Sequence, residues 1–347
     1  MTDRSKSLLL AFVSVGVCGV GLECALRVAV GPPITWMYPQ ESYLADAEMG
    51  HSLEPNQHAF TMNTPVEINE LGIREGEMEP NRTRPSLRIL AMGDSQTFGV
   101  GLRSEDTWPK QLERVLARDA SGCRVEVVNA GLPASATWNQ EVLARRLLPI
   151  YRPDLVVVGF YVNDVMKATG QPPFSTRRKS SLALRAVYLA KRSAVVTAVW
   201  QAWLSLREIT RSSEDFVHEK SVVEDSHPWE TAPGWSQVQS SLEHMKGDAG
   251  RAGAGLVVMA MPRVDEVDGR IAGGRWQSRL LAITRPLEVP LVDTLPVLRE
   301  AHARGDLLTI PWDGHFSAAA QAAMANALAK ALVNEMPEMM RSRCARE

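Results

Sequence analysis

The sequence predicts a three-layer α/β/α domain built on a mainly parallel β-sheet, and three observations carry this prediction. Residues 87–92 and 155–161 form nearly continuous apolar runs, which are typical of strands covered on both faces. Segments with helical spacing, such as residues 108–117, alternate with these runs. The composition, with 45% hydrophobic and 22% charged residues among 347, is that of a globular chain with a full core.

The rest of the chain extends this alternation. We expect further strands at residues 125–129, 255–261 and 289–293, and helices at residues 139–148 and 316–335. Ser317 is placed to cap the last of these helices. The predicted divisions are an N-terminal membrane anchor or signal at 1–30, a tether with leader strands at 31–86, the α/β domain at 87–335, and a C-terminal tail at 336–347.

The N-terminal segment has the pattern of an export signal. Arg4 and Lys6 precede an uncharged apolar run at residues 8–22, which extends toward residue 30 if Glu23 and Arg27 pair near a membrane interface. We favour an uncleaved transmembrane anchor over a cleaved signal, because no A-x-A site follows the run. With the two basic residues inside, the body of the protein lies outside the cytoplasm, periplasmic or extracellular.

A basic segment at about 167–235 interrupts the α/β pattern. Between Val165 and Arg211 it contains nine Lys or Arg residues and one acidic residue, Glu208, together with apolar residues near helical spacing. Two interpretations are open. The favoured one is a helical insertion packed on the domain edge with a solvated basic face. The other is a lid that touches anionic lipid headgroups or an anionic substrate.

Charge and cysteine content exclude several classes of partner. A formal net charge of -2 gives no reason to expect nucleic acid. The four cysteines are scattered and form no CxxC pair, so we expect no structural zinc. We also expect no other metal and no cofactor.

The first candidate site residue is Ser95, in the triplet Gly93-Asp94-Ser95 directly after a buried strand. This position lies at the carboxyl edge of the sheet, where open α/β folds bind ligands. Gly93 allows a sharp turn there, and Thr97 rules out the G-x-S-x-G elbow of α/β-hydrolases. Taken alone, the triplet is equally compatible with a nucleophile and with a simple strand-to-helix cap.

Two polar positions follow the next two strands. Gly131 and Asn163 would meet Ser95 at one edge of a parallel sheet, where the Ser95 amide, the Gly131 amide and the Asn163 side chain would form an oxyanion hole. Each also has a simpler interpretation, since Gly131 fits a turn and Asn163 fits a helix cap.

A histidine that can act as a base lies just before the terminal helix. His315 follows Asp313 by two residues, close enough for the carboxylate to reach the imidazole in an extended or turned segment, and Gly314 makes such a bend easy. A surface-loop histidine is the alternative. The chain order Ser, Asp, His is compatible with a catalytic triad, which depends on geometry rather than on order.

Together, Gly93-Asp94-Ser95, Gly131, Asn163 and Asp313/His315 resemble the four ordered blocks of the SGNH/GDSL hydrolase superfamily, over roughly residues 87–335. Residues 68–74 also resemble a leader found in membrane-anchored bacterial members. The resemblance implies a flavodoxin-like fold, with Ser95 as nucleophile, Gly131 and Asn163 in the oxyanion hole, and His315 as a base oriented by Asp313. The D-x-H spacing of Asp313 and His315 departs from the D-x-x-H that is common in the family.

The function predicted from these residues is serine esterase chemistry on O-linked acyl groups, most simply acetyl. Location outside the cytoplasm makes a cell-envelope glycan a sensible substrate, and a small acylated molecule is the alternative. An O-acyltransferase that modifies an exopolysaccharide would use the same residues with a different acceptor. A non-catalytic binding or scaffold protein of the envelope is the rival from another class.

Overall fold

The computed structural model describes residues 3–76, 86–119, 124–165, 186–187, 189–210 and 234–335. The chain begins with a long helix, α1 (Asp3–Ala29), and continues into two antiparallel hairpins. The hairpin strands are β1 (Tyr43–Asp46), β2 (Gly50–Leu53), β3 (Gln57–Thr61) and β4 (Thr64–Ile68). Met49, Leu53, Val66, Ile68 and Ile73 from this region are buried in the main hydrophobic core, so the leader packs against the domain.

The centre of the molecule is a parallel five-stranded sheet. Its strands are β5 (Ser86–Gly93), β6 (Arg124–Gly131), β7 (Leu155–Tyr161), β8 (Gly255–Met261) and β9 (Leu291–Asp293), in the spatial order β6-β5-β7-β8-β9. The last strand starts two residues later than the sequence predicts, after Pro290, which has no N–H to donate to a sheet ladder.

Helices cover both faces of this sheet. In chain order, the described helices after α1 are α2 (Ser95–Phe98), α3 (Trp108–Asp119), α4 (Thr137–Tyr151), α5 (Ala194–Thr210), α6 (Gly234–Arg251), α7 (Val264–Val267), α8 (Arg275–Thr284), α9 (Leu295–Ala303) and α10 (Ala318–Glu335). Of these, α5 packs against α1. Short 3-10 turns occupy Ser104–Asp106 and Val162–Val165.

Alternate side chains of the buried strands separate into two cores. Leu90, Met92 and Val156 pack with α4, α6 and α8 on one face. Ile89 and Val157 pack with α3, α9 and α10 on the other. This arrangement confirms the predicted three-layer fold with a mainly parallel sheet.

The strand order creates one switch point. The chain passes from β5 outward to β6, then returns to the other side of β5 as β7. The connections that leave β5 and β7 run to opposite sides, which opens a crevice above the carboxyl ends of these two strands. Open α/β sheets bind ligands in such a crevice. Ser95 follows β5 and Asn163 follows β7, so both lie at this crevice.

The N-terminal helix is long and apolar enough to cross a membrane. An 18-residue stretch within Arg4–Ala29 has a mean hydropathy of 2.1, and none of that stretch is buried within the protein. A membrane anchor and a signal sequence both have these properties. Of the predicted basic insertion, the structure describes α5, a few residues before it, and Gly234 and Trp235 at the start of α6; the rest lies outside the described residues.

Candidate active site

Ser95 is the first residue of α2, at a tight turn out of β5. Asp94 caps this short helix, and its Oδ1 accepts the Gln96 amide at 2.9 Å. Gly93 has a φ of 154°, and a Cβ there would lie 2.8 Å from the carbonyl oxygen of Gly159 on β7. The turn therefore requires glycine. Since the first amides of a helix have no intrahelical acceptor, the Ser95 N–H can face an incoming anion.

The far end of α2 is held by an arginine from the leader. Arg74 donates to the carbonyl oxygens of Phe98 and Gly99, each at 2.8 Å, and to that of Leu102 at 2.5 Å. Its guanidinium also lies 5.0 Å from the centre of the Phe98 ring. Burial lowers the pKa of Arg74 to about 10, which leaves the side chain charged at neutral pH. The leader thus fixes the helix that carries Ser95.

Asn163 lies in the 3-10 turn after β7, and its side chain reaches the turn of Ser95. Its Nδ2 donates to Oδ2 of Asp94 at 3.2 Å, and its second N–H leaves a donor for another acceptor. Its Oδ1 is buried without a hydrogen-bond partner. Such an orphaned atom beside a candidate nucleophile is typical of a site that is incomplete without a ligand or water.

Asp164, the next residue, ties this turn to the start of α4. One of its carboxylate oxygens accepts Thr137 Oγ1 at 3.1 Å and Gln140 Nε2 at 3.2 Å. Gln140 also reaches Ser135 Oγ at 3.4 Å, and Ser135 donates to the carbonyl oxygen of Gly93 at 3.3 Å. The network links the turns after three strands, and it gives Asp164 a positioning role that the sequence did not suggest.

Gly131 ends β6 against the backbone of α2. A Cβ at this residue would lie 2.2 Å from the Phe98 nitrogen, so no larger residue fits. Its amide donates to Oδ1 of Asn129 at 3.0 Å. Gly131 is therefore at the predicted place, but its N–H has an acceptor within its own strand, and an oxyanion would have to share or replace that bond.

Asp313 and His315 form a local pair in the loop before α10. The His315 amide donates to Oδ1 of Asp313 at 2.9 Å, and Nδ1 of the ring contacts the same oxygen. Burial would raise the pKa of Asp313, but the hydrogen bond and charge of His315 outweigh it, and the pKa is lowered. Both side chains remain about one quarter exposed. The left-handed residue of this loop is Trp312, with φ of 65°, rather than Gly314.

Gln96 connects the two parts of the site. Its side-chain oxygen accepts the amide of Phe316 at 3.0 Å, and its carbonyl oxygen accepts Nε2 of Gln321 at 2.9 Å. The residue after Ser95 is thereby bonded to the residue after His315, across 220 positions of sequence. This buried link brings the serine and histidine segments together, and spacing alone could not have revealed it.

A second carboxyl group lies near the histidine. Burial raises the pKa of Glu41, against the lowering effects of hydrogen bonds from its own backbone and Tyr43 and of the charges on Arg74 and His315. Tyr43 donates to Oε1 at 3.3 Å, while Oε2 is buried without a hydrogen-bond partner. The leader therefore places a poorly solvated acidic group beside the site.

A cavity of about 190 Å³ adjoins Asp313. Its lining includes Trp36, Lys191, Trp200 and Trp312, drawn from the leader, the insertion and the loop of His315. Among the described residues, no group of three or more His, Cys, Asp or Glu side chains could hold a metal ion.

Comparisons with known proteins identify the family of the chain. A model of the GDSL-like lipase/acylhydrolase family matches residues 91–323. An arylesterase from Vibrio mimicus is 31% identical over 91 residues, which are 26% of this chain and less than half (44%) of that protein.

Several solved structures are similar to the chain at low identity. The crystal structure of TesA shares 16% identity, with 71% of this chain and 98% of that chain covered and a TM-score of 0.43. Esterase EstA from a Pseudoalteromonas species shares 15%, with 72% and 98% covered and a TM-score of 0.43. A family 3 carbohydrate esterase from Clostridium thermocellum shares 14%, with 74% and 99% covered and a TM-score of 0.43.

Proposed function

Because the chain belongs to the GDSL-like lipase/acylhydrolase family, it is an ester-hydrolysing enzyme, and we propose that Ser95 is its nucleophile with His315 as base. The observation that carries the proposal is the Gln96 link, which holds the segment of Ser95 against the segment of His315. Asp313 orients the imidazole through Nδ1, which leaves Nε2 to face the serine hydroxyl.

The reaction proceeds in two acyl-transfer steps. His315 Nε2 takes the hydroxyl proton of Ser95 as Oγ attacks the ester carbonyl, and the tetrahedral intermediate then collapses to an acyl-enzyme. The departing alkoxide takes the proton from His315. Water attacks the acyl-enzyme with His315 again as base, the acid is released, and Ser95 regains its proton.

The negative charge of each intermediate falls at the turn between β5, β6 and β7. The Ser95 amide and the second side-chain N–H of Asn163 are the donors best placed to bind the oxyanion. The Gly131 amide is a third donor once its hydrogen bond to Oδ1 of Asn129 is shared or broken. Asp94 assists indirectly, because it holds both the start of α2 and the Asn163 side chain.

The substrate and the location of the enzyme form the second half of the proposal. We propose an O-acetyl ester on a glycan of the cell envelope, with the protein anchored by α1 and its catalytic domain outside the cytoplasm. The support is the apolar α1 with Arg4 and Lys6 at its start, a pattern that favours export of the domain C-terminal to α1. A fusion of alkaline phosphatase to the C-terminus tests the orientation, since it is active only when exported.

Acetate release tests the chemistry. Full-length protein in detergent should release acetate from p-nitrophenyl acetate and from acetylated polysaccharides. Ser95→Ala should lower the rate of acetate release from both substrates by about 10⁴-fold or more. Ser278→Ala is the matched control, because Ser278 is another helical serine and lies far from this site in sequence, on α8. Full activity in Ser95→Ala would overturn the proposal, and acetyl transfer to sugar instead of water would identify an acyltransferase.

A further inference from the structure

The helix α5 presents an apolar face that is about half exposed. Val196, Val199, Trp200 and Trp203 are all exposed, and the two tryptophan rings contact each other with centroids 5.3 Å apart. Exposed aromatic and aliphatic side chains at helical spacing mark a surface that contacts a partner or a membrane. The way in which α5 is attached to the rest of the chain distinguishes these two.

Glu23 of α1 attaches the start of α5 to the N-terminal helix. Its carboxylate accepts the amides of Ala194 and Val195 at 2.9 and 3.0 Å and the hydroxyl of Ser193 at 2.8 Å. A carboxylate at the first turn of a helix accepts hydrogen bonds from amides that have no intrahelical acceptor, and the positive end of the helix dipole stabilises its negative charge. Arg27 adds a hydrogen bond to the carbonyl oxygen of Arg192 at 2.7 Å.

The position of Glu23 along α1 sets the depth of this junction. From Arg4 to Glu23 an α-helix rises about 28 Å, at ~1.5 Å per residue. The hydrocarbon core of a bilayer is about 30 Å thick. If Arg4 lies at one boundary, Glu23 and the first turn of α5 lie at the other, at the level of the phospholipid headgroups.

The charges near this junction suit that level. Arg192 and Lys191 lie two and three residues before the start of α5. Tryptophan side chains are enriched at the same depth, because each has an apolar body and a polar N–H. Basic residues beside an apolar, tryptophan-bearing face are the pattern of a helix that lies in a membrane interface.

We propose that α5 lies in the outer interface of the phospholipid bilayer that α1 crosses, with Val196, Val199 and Trp203 among the acyl chains. This inference rests on the proposed anchor. It also places the active site, because Trp200 of α5 lines the cavity that adjoins Asp313, and Trp312 donates to the carbonyl oxygen of Gly31 at 2.8 Å just beyond α1. The catalytic edge of the sheet is therefore held close to the membrane surface.

Fluorescence quenching of single-cysteine variants tests this placement. The four native cysteines are replaced by serine, and Val196→Cys is compared with Val333→Cys on α10, since both valines are 42% exposed. Each full-length variant carries an environment-sensitive fluorophore in nanodiscs of phosphatidylcholine and phosphatidylglycerol at 3:1. We expect lipids brominated near the headgroup to quench the label at position 196 at least twofold more than at 333, and aqueous iodide to quench it at least twofold less.

Two results would overturn the inference. Equal quenching by iodide at both positions would place α5 in water. Protection from iodide without quenching by bromolipids would mean that protein, such as a second copy of the chain, covers α5 instead.

A third variant separates this inference from the anchor on which it rests. It retains only Cys18, within α1, as the labelled residue. If bromolipids do not quench this label, the anchor fails and the inference fails with it. If they quench Cys18 but not position 196, only the inference about α5 fails. Hydrolysis of p-nitrophenyl acetate by the same samples reports on the catalytic site independently of both.

Discussion

Strand β7 and helix α5 are both rich in valine, and they lie in opposite surroundings. The residues of β7 before Tyr161 are buried between two layers of helices, with Val157 at 0% exposure. On α5, Val199 is 63% exposed. Full burial of a valine stabilises a protein by about 1.5–3 kcal/mol, and the exposed valines of α5 make no such contribution to the protein core. On our proposal, hydrophobic residues in this chain therefore serve two environments, a protein core and a lipid interface.

Asp313 belongs to the sheet edge and to the surroundings of α5, since it contacts His315 and also lines the cavity that Trp200 of α5 lines. We expect Asp313→Asn to lower kcat by about 10³-fold, because the imidazole loses its orienting acceptor and the stabilisation of its charged form. Initial rates with p-nitrophenyl acetate measure this. Asp306→Asn removes an exposed carboxylate paired with Arg304 and is the matched control. A loss below tenfold would remove Asp313 from the catalytic group.

Close packing at the sheet edge gives the next largest effect. Gly131→Ala places a methyl group against the backbone of Phe98, so we expect a loss of about 3 kcal/mol in the free energy of unfolding, with activity reduced as α2 shifts. Gly250→Ala on α6 has nothing within 4 Å of the new methyl and should be neutral or slightly stabilising. Urea denaturation measures the free energy of unfolding of both variants. Equal values would mean that the sheet edge at Gly131 is loosely packed.

The two valines can be compared directly. Val157→Ser removes methyl groups from the core and buries a hydroxyl, which should cost about 2 kcal/mol or more. Val199→Ser should change the unfolding free energy in detergent by less than about 0.5 kcal/mol, because the side chain lies outside the core. Similar losses at the two positions would show that α5 packs against protein.

Glu41 gives the smallest expected effect, and a pH-dependent one. Its pKa is raised in the folded protein, so above the unfolded pKa the folded state holds more protons than the unfolded state, and stability falls as pH rises. Glu41→Gln removes this titration. The variant should be more stable by about 1 kcal/mol at pH 7.5 and equal to the parent near pH 4, as judged by thermal unfolding. A variant that is less stable at pH 7.5 would mean that the carboxylate is a stabilising partner of its neighbours.

The fold, and the placement of the candidate site residues at one edge of the sheet, were predictable because they depend on local pattern. Buried strands are recognisable as apolar runs, and the ends of parallel strands must meet at one edge, which placed Ser95, Asn163 and Gly131 together. Asp313 and His315 are two residues apart, so their contact needed only a turned loop.

Other features depend on distant partners, and spacing cannot reveal those. Nothing in the sequence pairs Gln96 with Phe316, or Arg74 with the end of α2. The bonds of Asp164 to Thr137 and Gln140 give it a role that its position beside Asn163 does not indicate. The Gly131 amide was expected to point at the substrate, and only the structure shows that it meets Asn129.

Covalent labelling is the decisive test of Ser95 as the nucleophile of this ester-hydrolysing enzyme. Full-length protein is treated with a small alkyl fluorophosphonate, and the adduct is located by peptide mass spectrometry. We expect one adduct, on Ser95, formed in step with the loss of esterase activity and absent from Ser95→Ala. Loss of activity with the adduct on another residue, or labelling that persists in Ser95→Ala at the original rate, would contradict the assignment.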